Sequence, residues 1–162
     1  MKKRLAMLAL AGAMVTSSLT GCGLKDSATV ATVAGDEIPA GLANFYARMT
    51  QAQYESMYSS YLGDNMWTTE ASEGKTYEKL VKDEVLKDLE NMYLLEDHMD
   101  DYNISLSDDE KKAIKDAAKE FSKDNDKDDK EKVSGDTEYV ERYLYLQTVE
   151  KRMKAAISAT AD

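Results

Sequence analysis

One cysteine, one proline and one histidine are all that this chain of 162 residues contains of each. A lone cysteine excludes an internal disulfide. A lone histidine, His98, leaves one candidate base for a Ser-His-Asp triad, and nothing in the sequence places a serine beside it. No glycine-rich phosphate loop and no CxxC pair occur, which removes the common phosphate cradle and the common zinc and thiol-redox motifs. Positive charge is scarce: 21 basic residues face 31 acidic ones, for a net charge of -10. Nucleic-acid phosphates demand a basic surface, so nucleic acid is excluded as a partner. The same balance argues against lying flat on anionic lipid. We assign no catalytic residue, no cofactor and no metal from the sequence.

What is present begins at the amino terminus. Lys2, Lys3 and Arg4 precede an apolar run from Leu5 to Val15, and Leu19-Thr20-Gly21-Cys22 follows. A charged start, an apolar stretch and a small-residue cleavage site make an export signal. The order Leu-Thr-Gly-Cys resembles a bacterial lipobox, which is cut before a cysteine that takes a lipid. This predicts a signal peptide over 1–21 and lipidation at Cys22. It places the protein at the cell membrane, lipid-anchored on the extracytoplasmic face. The competing readings are an ordinary signal with a chance cysteine, or an uncleaved span. The apolar run is short of the roughly 20 residues that a span needs.

A polar tether is expected over 22–28, a helical domain over 29–158 and a small tail over 159–162. Thr29 to Val33 is short and β-branched, and Gly35-Asp36 supplies a turn. This reads as a short extended segment of no more than a bridge. Four main helices follow in an all-α fold. The first runs from Pro39 to about Tyr61, with Leu42, Phe45, Tyr46 and Met49 at helical spacing. Gly63-Asp64-Asn65 ends it, and a loop over 66–74 holds Trp67. The second runs from about Lys75 to Tyr102, with His98 on its polar side. Ser107-Asp108-Asp109-Glu110 is a capping box that opens the third, to about Phe121. The fourth opens at Ser134-Gly135-Asp136 and runs to about Ile157.

The charged stretch from Ser122 to Lys132 was weighed as a calcium loop. An EF-hand counted from Asp124 requires glycine at its sixth position and glutamate at its twelfth. Those positions hold Asp129 and Gly135, so a solvated loop is the expectation. The aromatic and thioether residues of the first helix carry more. Tyrosine offers area with a wet polar end, and methionine adapts its shape to varied partners. Most such residues serve a core. Yet Tyr54 and Tyr58 lie off the Leu42–Met49 stripe, which points to an apolar binding surface. The expected contacts are Phe45, Tyr46, Met49, Tyr54, Met57, Tyr58 and Tyr61.

The order of parts resembles a known family. The lipobox, the segment Ala31-Thr32-Val33-Ala34-Gly35-Asp36-Glu37-Ile38, the helix bearing Phe45-Tyr46, the long helix around Val85 to Leu95, and Ile104-Ser105-Leu106-Ser107-Asp108-Asp109-Glu110 follow in sequence. This order is similar to the amino-terminal domain of SurA/PrsA-type foldases. The resemblance spans about Thr29 to Ile157. It implies a helical chaperone module that binds unfolded exported polypeptides, with the fourth helix packed back on the others. In that family, prolyl isomerase activity belongs to a separate parvulin domain, and this chain has no histidine pair of the parvulin kind. Pro39 also stands where the family has a polar helix start. Three readings therefore stand: a chaperone module, a foldase whose isomerase domain is not in this chain, or a structural docking lipoprotein.

Overall fold

The computed structural model describes residues 25–160 apart from positions 64 and 73. The expected signal over 1–21 and the expected lipidation site Cys22 lie outside the described residues. Among the described residues, two small hairpins and five helices follow one another.

The first hairpin pairs β1 (Thr29–Val33) with β2 (Asp36–Pro39), antiparallel. It is more than the single bridge expected. Ala34 and Gly35 form its turn at φ of 53° and 100°, the pair of positive values that matches the twist of a two-residue hairpin. Val30, Val33 and Ile38 point into the core. Pro39 closes β2 opposite Thr29, so α1 (Ala40–Leu62) begins one residue later than the proline signal suggested. Two residues of the segment expected as a tether, 22–28, are bonded to α1. The Gly41 amide donates to the Asp26 carbonyl at 2.8 Å and the Ala40 amide to that of Ala28 at 2.7 Å. Asp26 and Ala28 are thus bonded to the first turn of α1.

The expected loop over 66–74 holds a 3-10 turn at Met66–Thr68 and the start of a second hairpin, β3 (Glu70–Ser72) with β4 (Lys75–Thr76). Met66 is buried beneath it. From there α2 (Tyr77–Asp97) starts at Thr76, whose hydroxyl accepts from the Lys79 amide. It ends five residues before the expected Tyr102. The chain turns through a 3-10 segment at Asp100–Tyr102, and Asn103 takes a left-handed conformation, one that asparagine tolerates well. His98 caps α2 and pairs with Asp101 at 2.8 Å.

The capping box is present as read. Ser107 accepts from the Glu110 amide, and the Glu110 side chain accepts from the Ser107 amide at 2.8 Å, opening α3 (Asp108–Asp124). The charged stretch beyond it is not a loop throughout. Residues Lys127–Val133 form α4, capped by Asp126, which accepts from the Asp129 amide at 2.9 Å. Finally α5 (Thr137–Thr160) runs three residues past Ile157.

As the family resemblance implied, this last helix packs back on the others, and it joins all three parts of the core. Leu146 lies with Ile38, Leu42, Val85 and Leu89. Val149 and Met153 meet Leu106 and Ile114. Val140 meets Phe45 and Ala118. A half-buried ion pair fixes α5 to α2. The Arg142 guanidinium reaches both Glu96 oxygens, at 2.7 and 2.6 Å, and its carbon lies 4.6 Å from the Tyr93 ring centre. Burial opposes the Arg142 charge, but the hydrogen bonds it donates to Glu96 and Tyr93 and the Glu96 charge outweigh it and raise its pKa. A polar clasp draws in the chain start: Asn44 donates to the Ser134 hydroxyl at 2.8 Å, and that hydroxyl donates to Asp26 at 2.9 Å.

Candidate functional site: a tyrosine groove on the first helix

The packing above leaves part of α1 uncovered. Its first turns pack on the first hairpin, α2 and α5, whereas residues 55–58 and 61 in its distal half are exposed. The sequence places aromatic and thioether side chains there. Met57 is 53 % exposed, Tyr58 41 % and Tyr61 85 %.

Toward the bundle this apolar end leads into an open groove of about 260 Å3. Tyr46, Met49, Thr50, Gln53 and Tyr54 of α1 form one wall. Glu84, Val85 and Asp88 of α2 form the other, with Tyr143 and Gln147 of α5 completing it. The rings lie close: Tyr46 and Tyr143 are 4.9 Å apart at their centres, Tyr54 and Tyr58 5.6 Å, and Tyr54 and Trp67 6.3 Å. Each groove tyrosine directs its hydroxyl to a polar partner. Tyr46 donates to Asp88 at 3.2 Å, Tyr54 to Glu84 at 3.4 Å, and Tyr143 accepts from Gln147 at 2.7 Å.

These phenols are held neutral. Burial first, then the charge of Asp88, pushes Tyr46 far above the ordinary phenol value. Burial and Glu84 raise Tyr54, and burial and Glu150 raise Tyr143. At the outer edge, Glu55 accepts from Gln51 and from the Trp67 indole, which lowers its pKa. The groove therefore offers aromatic faces and a flexible thioether beside two carboxylates. It can cover the stem of a side chain with apolar surface and meet a polar or cationic tip.

Of the expected contacts, Tyr46, Met49 and Tyr54 line the groove, and Met57, Tyr58 and Tyr61 continue it outward. Phe45 does not join them. It is 2 % exposed, edge-on to Phe121 and Tyr143 at 5.5 and 5.6 Å. Adjacent helical residues point about 100° apart, so Tyr46 at the groove turns Phe45 into the core. Cys22 lies outside the described residues. Sequence reasoning missed Trp67, Glu84, Asp88 and Tyr143 as neighbours of this surface. The i,i+4 spacing of Glu84 and Asp88 was a visible signal, but the polar face of the second helix was full of such pairs.

The fold is a helical bundle with hairpins at its edges and a groove that sets aromatic faces beside carboxylates. The particular family is shown by sequence: the SurA-like N-terminal domain matches residues 4–134, and the chain belongs to that family. Domains of this family bind unfolded client proteins and mark extracytoplasmic proteins. No curated protein and no solved structure matches the chain significantly. Among the described residues, no helix is long and apolar enough to cross a membrane.

Proposed function

We propose that this protein is a membrane-anchored extracytoplasmic chaperone that holds unfolded exported polypeptides along α1. The observation that carries the reading is the continuity of Met57, Tyr58 and Tyr61 with the tyrosine groove, in a domain of a client-binding family. Contiguous exposed apolar patches mark interaction surfaces. Tyrosine and methionine suit a shallow surface that accepts many sequences. Removal of Lys2, Lys3 and Arg4 with residues 1–21 takes the net charge from -10 to about -13, which keeps the loaded protein soluble by repulsion. The lipobox supports anchoring through Cys22 after removal of residues 1–21. Two acyl chains provide the second hydrophobic anchor that stable attachment requires.

The test is suppression of aggregation. The full chain in mild detergent is added in graded amounts to a dilute unfolded client, and light scattering is followed. Scattering is expected to fall with dose, and not with an equally acidic control protein. Replacing Met57, Tyr58 and Tyr61 together by serine is expected to lower this holding several-fold. Surface changes of this kind leave stability within about 0.5 kcal/mol, which thermal melts check. Holding that survives the triple change removes this surface from the reading. Capture of a single defined partner instead of many clients favours a docking role. Membrane association unchanged in Cys22→Ala removes the lipid anchor.

A further inference from the structure

We propose that the groove between α1 and α2 selects extended client segments that carry basic side chains two residues apart next to apolar ones. This rests on the client-binding reading and adds a sequence preference to it. The argument starts from the two carboxylates. Glu84 and Asp88 stand on the groove wall, and among the described residues each accepts a tyrosine hydroxyl, at 3.4 and 3.2 Å. Among the described residues, no cation lies within 4.0 Å of either. The neighbouring surface differs. On the same helix Asp83 takes Lys75 at 2.9 Å and Lys79 at 3.8 Å, and Glu78 takes Lys82. Lys154 sends its charge toward Asp88 but is held by Glu150 at 2.7 Å. The groove is thus a place on α2 where acidic groups are set beside aromatic faces with no cation in ion-pair contact among the described residues.

Geometry supplies the spacing. Four residues of helix rise about 6 Å, which separates Glu84 from Asp88 along the groove. In an extended strand, side chains at i and i+2 share a face about 6.6 Å apart. An extended segment laid along α1 can therefore bring two cations to the two carboxylates in register. Their aliphatic stems cross Met49 and Val85, and the Tyr46, Tyr54 and Tyr143 rings receive the cationic heads. Cations over tyrosine faces are attracted by the ring quadrupole. From Tyr54, the exposed Tyr58 lies 5.6 Å on. An apolar client residue beyond the basic pair meets it, together with Met57 and Tyr61. Clients that match combine positive charge with hydrophobicity, complementary to a chain that is acidic overall.

The test uses three fluorescent unstructured peptides of equal length and equal apolar content. They differ only in carrying Lys-x-Lys, Gln-x-Gln or Glu-x-Glu beside the apolar residues. Binding to the full chain in mild detergent is read by anisotropy at about 0.15 M salt, where charges beyond about 8 Å are screened. The lysine peptide is expected to bind tightest and the glutamate peptide weakest. Glu84→Gln with Asp88→Asn keeps both hydroxyl acceptors and removes both charges. It is expected to cut the lysine peptide's advantage over the glutamine peptide by about threefold to tenfold, the range for two exposed ion pairs. Asp128→Asn with Glu131→Gln on α4, which lines no part of the groove, serves as the control and is expected to leave that advantage intact. If both double variants erase the advantage equally, overall charge is the cause and the inference is overturned. Equal binding of all three peptides also overturns it and leaves client binding standing. If no peptide binds at all, the client-binding reading itself falls.

Discussion

The carboxylate of Glu110 closes the first turn of α3 and ties that turn to α5. Hydrogen bonds from the Ser107 amide, then from Arg152, then from the Ser107 hydroxyl hold its pKa down to about 2, against an ordinary 4.5. A group depressed in the folded state stabilises the fold above its unfolded pKa and loses that effect as pH falls through the folded one. The contribution is therefore complete above pH 4.5 and fades between pH 4.5 and about 2. Glu110→Gln is expected to lower the melting temperature at neutral pH and to flatten its decline across that acid window, which melts in a pH series measure. A second single-residue effect sits at Ala34, whose φ of 53° is unfavourable for alanine and natural for asparagine. Ala34→Asn creates the Asn-Gly turn that two-residue hairpins prefer. It is expected to raise stability by about 0.5–1 kcal/mol in urea unfolding.

Between elements, the close approach of α1 to α5 depends on Gly41. A Cβ built there would lie 2.3 Å from the buried Tyr139 ring. Gly41→Ala is expected to destabilise by about 1–3 kcal/mol, the usual result of overpacking. Tyr139→Leu in the same chain is expected to recover part of it, a coupling that a double-mutant cycle reads directly. The elements also show which signals the sequence carried. The capping box of α3 was legible because it is a local device of four residues. The break after α2 was legible in place but not in extent, because a 3-10 turn and a left-handed Asn103 replace its last turn. The helix α4 was hidden because only Val133 in it is apolar. Its caps at Asp126 and Ser134 and the Lys127–Glu131 pair at 3.4 Å hold it, without a stripe to reveal it. Orientation on α1 was legible only in part. Leu42, Phe45, Tyr46 and Met49 form one stripe in sequence, but α2 and α5 divide it between core and groove. The carboxylates of the groove come from another helix, so no reading of α1 could find them.

For the molecule as a whole, α5 is the element on which the rest is assembled. The family match ends at residue 134, before it begins. Yet Leu146, Val149 and Met153 of α5 have no exposed surface and complete two of the three core clusters. A chain stopped after Asp136 is expected to show no cooperative thermal transition, read by circular dichroism. Leu146→Ala in the full chain is expected to cost about 2–5 kcal/mol while keeping that transition. An intact cooperative melt in the shortened chain would show that the first four helices hold without it.

The clasp of Asp26 with Ser134 and Gly41 also governs where the protein can stand. With Cys22 as the proposed point of attachment, three residues lie between it and Asp26, which makes four Cα-to-Cα steps. A fully extended chain covers at most about 3.6 Å per residue, so the leash is no longer than about 14 Å. Under the proposed anchoring, a body on so short a leash would patrol a film beside the bilayer and not the open compartment. It would meet polypeptides as they emerge, before they have diffused away, and a weak grip would suffice there.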